Sequence, residues 1–171
     1  MRIIFLDIDG PLIPLRMYFN GNRPFNTEYG SFVYDPIAVA MIKTLASKFD
    51  AKVVFNSAHN ENPAHIMLHQ ATFNGLNDVM HDDIITQFPH TPDRLSAIET
   101  WLKKHSEVTE WIVIDDMPVD SSGNVAHSRQ VPINYSHGMT MDSFQKACEL
   151  FGEKVSPIIG IGQNNYFSYK E

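Results

Sequence analysis

The stretch RIIFLDIDGPL, residues 2–12, decides how the rest of the sequence is interpreted. Its first residues, 2–6, are apolar or β-prone, which is the pattern of a short buried strand. Two carboxylates, Asp7 and Asp9, follow at once beside Gly10. Because a buried carboxylate is costly unless it is paired or binds a metal, we expect both acids where the strand ends and a ligand or solvent begins.

Two later apolar segments also end in polar oxygen groups. AKVVFNS, residues 51–57, ends at Ser57, and WIVIDD, residues 111–116, ends in Asp115 and Asp116. If these segments are neighbouring parallel strands, their carboxyl ends meet at one edge of the sheet, which is where ligands bind in such folds. The pattern therefore predicts a cluster of carboxylates at that edge.

Helical periodicity separates the predicted strands. This alternation predicts an α/β fold with a mainly parallel central sheet and helices on both faces. Residues 11–34 are rich in proline and asparagine and are expected to form a loop or hairpin flap, and 78–88 is ambiguous, with room for a short strand. Four helices are expected. The first spans 36–48 after an Asp35 cap, the second spans 63–73, the third restarts at Thr91-Pro92-Asp93 and runs to about 105, and the fourth is capped by Thr140. VPIN at 131–134 is expected to form a further short strand.

Length and composition restrict the class of protein. The chain of 171 residues is expected to form one domain over 1–152, with the flap at 11–34, a short insertion at 58–91 and a tail at 153–171. The net charge of −7 argues against a stable complex with long nucleic acid. A single cysteine, no signal-like segment and no membrane-length apolar run predict a cytoplasmic protein without a membrane partner, and leave the oligomeric state open.

The expected carboxylate cluster needs a cation, since like charges at one edge repel each other. Carboxylate and phosphate oxygens are ligands that suit Mg²⁺. Arg94 lies in the first turn of a predicted helix, where the helix dipole disfavours a cation by roughly 0.3–1 kcal/mol unless an anion such as phosphate lies nearby. When Arg94 is considered alone, the simpler interpretation is that it is an exposed surface residue.

Taken in order, these segments resemble the motifs of the haloacid dehalogenase (HAD) superfamily of phosphohydrolases. The matching residues are Asp7-Ile8-Asp9-Gly10, Ser57, Arg94, and Asp115-Asp116 with Asp120. RLSAIETWLKKH (94–105), WIVIDD and GMT (138–140) are similar to a subgroup found in phage and bacterial proteins, some of them linked to RNA repair. The resemblance covers about residues 2–151 and implies a three-layer, Rossmann-like fold with a minimal cap.

The resemblance also implies roles for individual residues. Asp7 would be the nucleophile that forms an aspartyl-phosphate, and Asp9 the general acid and base. Gly10, Ser57 and Arg94 would bind phosphate. Mg²⁺ would be held by Asp7, the Asp9 backbone carbonyl and Asp116, with Asp115 or Asp120 behind them. The chain departs from the subgroup at Ala58-His59-Asn60, where Trp-Arg commonly follows the serine, and in having arginine rather than lysine at 94.

The leading hypothesis is a Mg²⁺-dependent phosphomonoesterase that acts on a nucleotide or a polynucleotide phosphate end. The alternatives are a phosphoprotein or small-metabolite phosphatase, and a non-catalytic phosphate-binding or interaction module of the same fold. Two other patterns have simpler explanations. His65 and His69 have zinc spacing but fit surface histidines, and the flap aromatics that could stack on a base fit packing residues (Tyr18, Phe19, Phe25, Tyr29 and Phe32). For His127 and Arg129, which follow the fourth motif, contact with substrate and placement on the surface both stay open.

Overall fold

The fold is built on a five-stranded parallel sheet, whose strands in spatial order are Met80–Ile85, Ala51–Phe55, Arg2–Leu6, Glu110–Asp115 and Gln130–Pro132. A computed structural model describes residues 1–18, 21–87, 93–120 and 127–153. The strands are β1 (Arg2–Leu6), β2 (Phe25–Asn26), β3 (Ser31–Phe32), β4 (Ala51–Phe55), β5 (Met80–Ile85), β6 (Glu110–Asp115) and β7 (Gln130–Pro132). The helices are α1 (Pro36–Phe49), α2 (Ala64–Phe73), α3 (Arg94–Leu102) and α4 (Met141–Leu150).

Both faces of the sheet are covered, and β1 shows why. Its residues Ile3 to Leu6 are completely buried. Alternate side chains point to opposite faces of a strand, so Ile4 and Leu6 join a core with α1, α2 and α4, whereas Ile3 and Phe5 join a second core with α3. An uninterrupted apolar run is what a strand covered on both faces requires. The predicted three-layer α/β fold is confirmed.

The ends of the helices mostly follow their sequence signals. Asp35 caps α1 by accepting a hydrogen bond from the backbone of Ile37, and Thr140 forms a capping box with Ser143. The prediction for α3 was wrong in detail, because Asp93 is its cap and accepts from two backbone N–H groups of the first turn. Thr91 and Pro92 lie outside the described residues, and α3 ends at Leu102 rather than near 105. The ambiguous segment 78–88 contains β5, an edge strand.

The flap is a short antiparallel hairpin, β2–β3, held against α2. The backbone N–H of Phe32 donates to Gln70 (3.0 Å), and its carbonyl accepts from the amide groups of Gln70 and Asn74 (2.5 and 2.9 Å). Between β1 and α1 the described residues contain no element larger than this hairpin and a 3₁₀ turn at Leu15–Met17, so the cap is minimal. The predicted tail lies outside the described residues from 154 onward.

Within the described ranges, no helix combines the length and the apolar character that crossing a membrane requires.

Candidate functional site

Three carboxylates meet at the carboxyl edge of the sheet. Asp7 follows β1, Asp115 is the last residue of β6, and Asp116 comes next. The two strands are hydrogen-bonded neighbours with Leu6 opposite Ile114, so they end side by side. One ligand oxygen from each of Asp7, Asp115 and Asp116 lies within 4.8 Å of the others. Parallel pairing therefore gathers acids that are more than a hundred residues apart in sequence.

Arg94 enters this cluster from the first residue of α3. Its Nη1 donates to Asp7 Oδ2 at 2.8 Å and to Asp115 Oδ2 at 2.5 Å, and its side chain is 15% exposed. Burial alone would lower the pKa of Arg94, but the charges of Asp7 and Asp115 outweigh burial and raise it. The interpretation of Arg94 as an exposed surface residue is therefore wrong.

The cluster carries more negative charge than Arg94 neutralises. Three carboxylates and one guanidinium leave two formal negative charges in a largely buried space. Burial, followed by the charge of Asp7, raises the pKa of Asp115 and of Asp116. Since oxygen ligands and an excess of two negative charges suit a hard divalent cation, these residues fit Mg²⁺. Asp120 is half-buried in the loop after β6 and is not one of the three clustered acids.

Gly10 allows Asp116 to come close to the Asp-x-Asp segment. Gly10 has a φ of 86°, and a Cβ there would lie 2.8 Å from the Cβ, Cγ and Oδ1 of Asp116. Any side chain at this position would meet both a strained backbone and the Asp116 side chain. Glycine after Asp9 is thus required for the compact cluster, and the Gly10 N–H is used locally, donating to the Ile13 carbonyl at 3.2 Å.

Asp9 has a different set of partners from Asp7. Its side chain is 37% exposed, forms an ion pair with Arg23 Nη2, and lies 3.2 Å from His59 Nε2. Burial opposes ionisation of Asp9, but its hydrogen bonds to His59 and Arg23 prevail and lower its pKa. The guanidinium of Arg23 also lies over the Phe32 ring, 4.4 Å from the centroid. The Asp9 carboxylate is therefore tied to the flap.

Ser57 lies just beyond β4, at the same edge of the sheet, and is buried. Its hydroxyl accepts a hydrogen bond from the His59 backbone at 3.4 Å and so caps the 3₁₀ turn Ala58–Glu61. This turn places His59 beside Asp9. The segment 58–60, which departs in sequence from the subgroup, is connected to Asp9 only in the folded structure.

Arg23 is the residue that sequence analysis missed. Its position in a proline- and asparagine-rich flap carries no motif, and only the fold of the hairpin brings it to Asp9. The sequence signal that could have pointed to Arg23 is His59, which stands where the subgroup commonly has an arginine. A chain without that arginine can supply the cation from another segment.

The other candidate groups lie apart from this site. His69 Nδ1 lies 3.2 Å from the Ser31 hydroxyl, and His65 is exposed. Arg129 lies over Trp111, near the amino end of β6, and so at the far edge of the sheet from Asp115. In the flap, Phe25 packs on Phe32 and Tyr29 on Phe73, whereas Phe19 is outside the described residues.

A second group of possible metal ligands lies at the amino edge of the sheet. It consists of His81, His105 and Glu107, with His105 Nδ1 at 2.9 Å from Glu107 and Nε2 at 3.1 Å from Asp83. Both ring nitrogens of His105 already have carboxylate partners, and the His81 Nδ1 accepts from the Asp83 backbone at 3.0 Å. A metal ion at this group would have to displace these existing hydrogen bonds.

Comparison with known sequences agrees with this geometry. A family model described as the HAD domain in Swiss Army Knife RNA repair proteins matches residues 3–144, which is most of the chain. No curated protein sequence matches the chain significantly. The matched range contains all of β1 except Arg2, the strands β2 to β7, and every residue of the carboxylate cluster. This chain belongs to the family of HAD domains that occur in Swiss Army Knife RNA repair proteins.

Proposed function

We propose that this protein is a Mg²⁺-dependent phosphomonoesterase that acts through an aspartyl-phosphate on Asp7. The observation that carries the proposal is the position of Arg94, which bridges Asp7 and Asp115 inside a carboxylate cluster with two excess negative charges. A carboxylate nucleophile, a guanidinium that binds phosphoryl oxygens and a divalent cation are the groups that phosphoryl transfer requires. A structural salt bridge would not need the third carboxylate.

The first chemical step is attack by a carboxylate oxygen of Asp7 on phosphorus. The bond from phosphorus to the ester oxygen breaks, and Asp9 gives a proton to that oxygen as the alcohol leaves. Because Arg23 and His59 keep Asp9 ionised in the free protein, Asp9 takes up this proton when the substrate draws those partners away. Water then attacks phosphorus in the acyl phosphate, Asp9 takes a proton from that water, and the bond to Asp7 breaks. Inorganic phosphate leaves, and Asp7 and Asp9 return to their starting states.

The remaining residues bind and orient the phosphoryl group. Arg94 neutralises its charge in the ground state and the transition state. Ser57 binds one of its oxygens through the hydroxyl group, and the Gly10 N–H binds another by exchanging the Ile13 carbonyl for it. Bound Mg²⁺ would neutralise charge between phosphate and carboxylates, and its ligands would be Asp7, the Asp9 backbone carbonyl and Asp116, with Asp115 or Asp120 supporting them.

A terminal phosphate of a nucleotide or polynucleotide is the substrate we favour. The family description names RNA repair proteins, and the minimal cap among the described residues leaves the carboxylate edge without a separate domain above it. The net charge of −7 favours brief contact with a nucleic-acid end over a stable complex along its length. We assign the activity to residues 1–152 and propose a cytoplasmic location.

The decisive test is hydrolysis of an aryl phosphate as a function of Mg²⁺ concentration. We expect slow turnover that disappears in excess chelator and returns with Mg²⁺. Asp116→Asn should raise the Mg²⁺ concentration needed for half-maximal rate. Asp82→Asn, which removes an exposed carboxylate on β5, should leave that concentration unchanged. Full activity in chelator would contradict the metal assignment.

A substrate panel separates the substrate hypotheses. Nucleotides and phosphorylated oligonucleotides should be hydrolysed with a higher kcat/KM than sugar phosphates or phosphopeptides. A preference for phosphopeptides would replace the nucleic-acid hypothesis with the phosphoprotein one. Absence of turnover on every substrate, with Mg²⁺ binding retained, would favour the non-catalytic module.

A further inference from the structure

The flap supplies a cation at the outer side of the candidate active site. Arg23 lies in the segment that leads into β2, and its guanidinium contacts Asp9, His59 and the ring of Phe32. Its Nη2 lies 3.0 Å from His59 Nε2. Stacking on an aromatic ring fixes the plane of a guanidinium, so its remaining N–H groups point in defined directions. Arg23 is therefore oriented before any ligand arrives.

The hydrogen-bonding capacity of Arg23 is not filled. Its Nε is buried and has no partner among the described residues, although the side chain as a whole is 34% exposed. A buried donor without an acceptor costs free energy, which is recovered when the side chain turns away from Asp9 and presents Nε to an arriving anion. A guanidinium with one unpartnered donor and partial access to solvent matches a phosphate group, whose oxygens accept hydrogen bonds in the same fork geometry.

The two arginines contact different carboxylates of the Asp-x-Asp segment. Arg94 contacts Asp7, which attacks phosphorus in the proposed mechanism, and Arg23 contacts Asp9, which protonates the leaving oxygen. An anion held by Arg23 would then be attached to the leaving group and not to the phosphoryl group. In a polynucleotide, the group in that position is the phosphodiester next to the terminal phosphate.

We infer that Arg23, which lies beside His59, forms a second anion-binding subsite that holds the phosphodiester adjoining the terminal phosphate of a polynucleotide substrate. This inference rests on the proposed function and names the feature of the substrate that the flap recognises. On binding, the phosphodiester replaces Asp9 as the partner of the Arg23 guanidinium. The exposed side of Asp9 makes this exchange sterically accessible.

The test compares two substrates that differ by one phosphodiester. The measurement is kcat/KM for a dinucleotide with a terminal phosphate, divided by kcat/KM for the nucleoside monophosphate of the same terminal base. We expect this ratio to exceed one in the wild type and to fall about tenfold in Arg23→Gln, the size of a lost charge-assisted hydrogen bond. Arg23→Lys should restore part of the ratio, since it keeps the charge and loses the fork.

The ratio separates the subsite from general effects on catalysis. If losing Arg23 changes how Asp9 acts in catalysis, kcat/KM changes by the same factor for both substrates, so the ratio is unaffected. Arg129→Gln is the matched control, because it also removes an arginine stacked on an aromatic ring, but at the far edge of the sheet. An unchanged ratio in Arg23→Gln, or an equal fall in Arg129→Gln, would overturn the inference.

Equilibrium binding tests the subsite without relying on turnover. In the presence of chelator, Arg23→Gln should bind the phosphorylated dinucleotide about tenfold more weakly than the wild type and the monophosphate with similar affinity. Equal weakening for both ligands would overturn the subsite. If the wild type does not hydrolyse aryl phosphate but the two proteins still differ in this binding, the proposed function is contradicted and the subsite is not.

Discussion

The candidate site has two halves that differ in burial and in the origin of their cations. The body half consists of Asp7, Asp115 and Arg94, whose side chains are 2%, 0% and 15% exposed. The flap half consists of Asp9 and Arg23, which are 37% and 34% exposed, together with His59. Ion pairs are strong and costly to break where water is excluded, and weak where it has access.

This difference assigns different tasks to neighbouring carboxylates. Asp7 and Asp9 are two residues apart, yet one is held by helix α3 of the body and the other by a two-stranded hairpin. A fixed body half suits the nucleophile and the phosphoryl group, whose geometry must not vary. A flap half that can change partners suits the leaving group, which must arrive and depart.

The largest expected effect is that of Asp7→Asn, in the body half. The substitution keeps the shape of the side chain and removes the nucleophile, so kcat should fall by at least about 10³-fold while the fold is retained. Aryl phosphate turnover and circular dichroism are the measurements. Near-normal turnover in Asp7→Asn would exclude a covalent mechanism on this residue.

Asp9→Asn should lower kcat by about 10²–10⁴-fold, the range for a general acid and base. With an aryl phosphate whose leaving group needs no proton, the rate of aspartyl-phosphate formation should fall less than the rate of its hydrolysis. The phosphorylated protein should then accumulate and be visible by intact-protein mass spectrometry after rapid acid quenching. If no phosphorylated protein is found and both steps slow equally, Asp9 positions groups in the flap half without transferring a proton.

Arg94→Ala should lower kcat/KM by about 10²–10³-fold, because it removes the cation that faces the phosphoryl group. It should also destabilise the chelated protein by about 3–5 kcal/mol, since it leaves Asp7 and Asp115 buried without their partner. Arg94→Lys should recover part of the lost kcat/KM and part of the lost stability. Equal kcat/KM for the wild type and both variants under saturating Mg²⁺ would remove Arg94 from the site.

The smallest expected effect is a pH-dependent change in stability that distinguishes the halves. The raised pKa of Asp115 and Asp116 means that the folded protein holds protons that the unfolded chain has lost. The stability that Asp115 and Asp116 contribute in chelator should therefore fall as pH rises through the raised pKa values. Asp9, with a lowered pKa, contributes stability above its unfolded pKa, which is lost on acidification through its folded pKa.

Because Mg²⁺ competes with those protons, the cation should stabilise the protein more at mildly alkaline than at mildly acidic pH. At saturation we expect a rise in Tm of about 3–10 °C at the higher pH. Thermal unfolding with Mg²⁺ or chelator, across that pH range, measures the difference. A shift in Tm that does not depend on pH would mean that the cation binds away from Asp115 and Asp116.

Most of the body of the fold could be predicted from the sequence, and the flap half of the site could not. The run at 2–6 matches β1 residue for residue, and Asp35 and Thr140 cap the helices they were expected to cap. These signals are local, since buried strands need apolar runs and helix starts need side-chain acceptors. Strand β5 was ambiguous because an exposed edge strand mixes His81, Asp82 and Asp83 into its apolar pattern.

The sequence by itself determined which acids would lie at one edge of the sheet, because parallel strands align their carboxyl ends whatever the loops between them do. Only the tertiary structure decided which cation serves which acid. Arg94 is brought to Asp7 and Asp115 by the packing of α3 on the sheet, and Arg23 is brought to Asp9 by a hairpin whose hydrogen bonds run to α2. Partners separated by many residues are chosen by packing, and no local pattern encodes that choice.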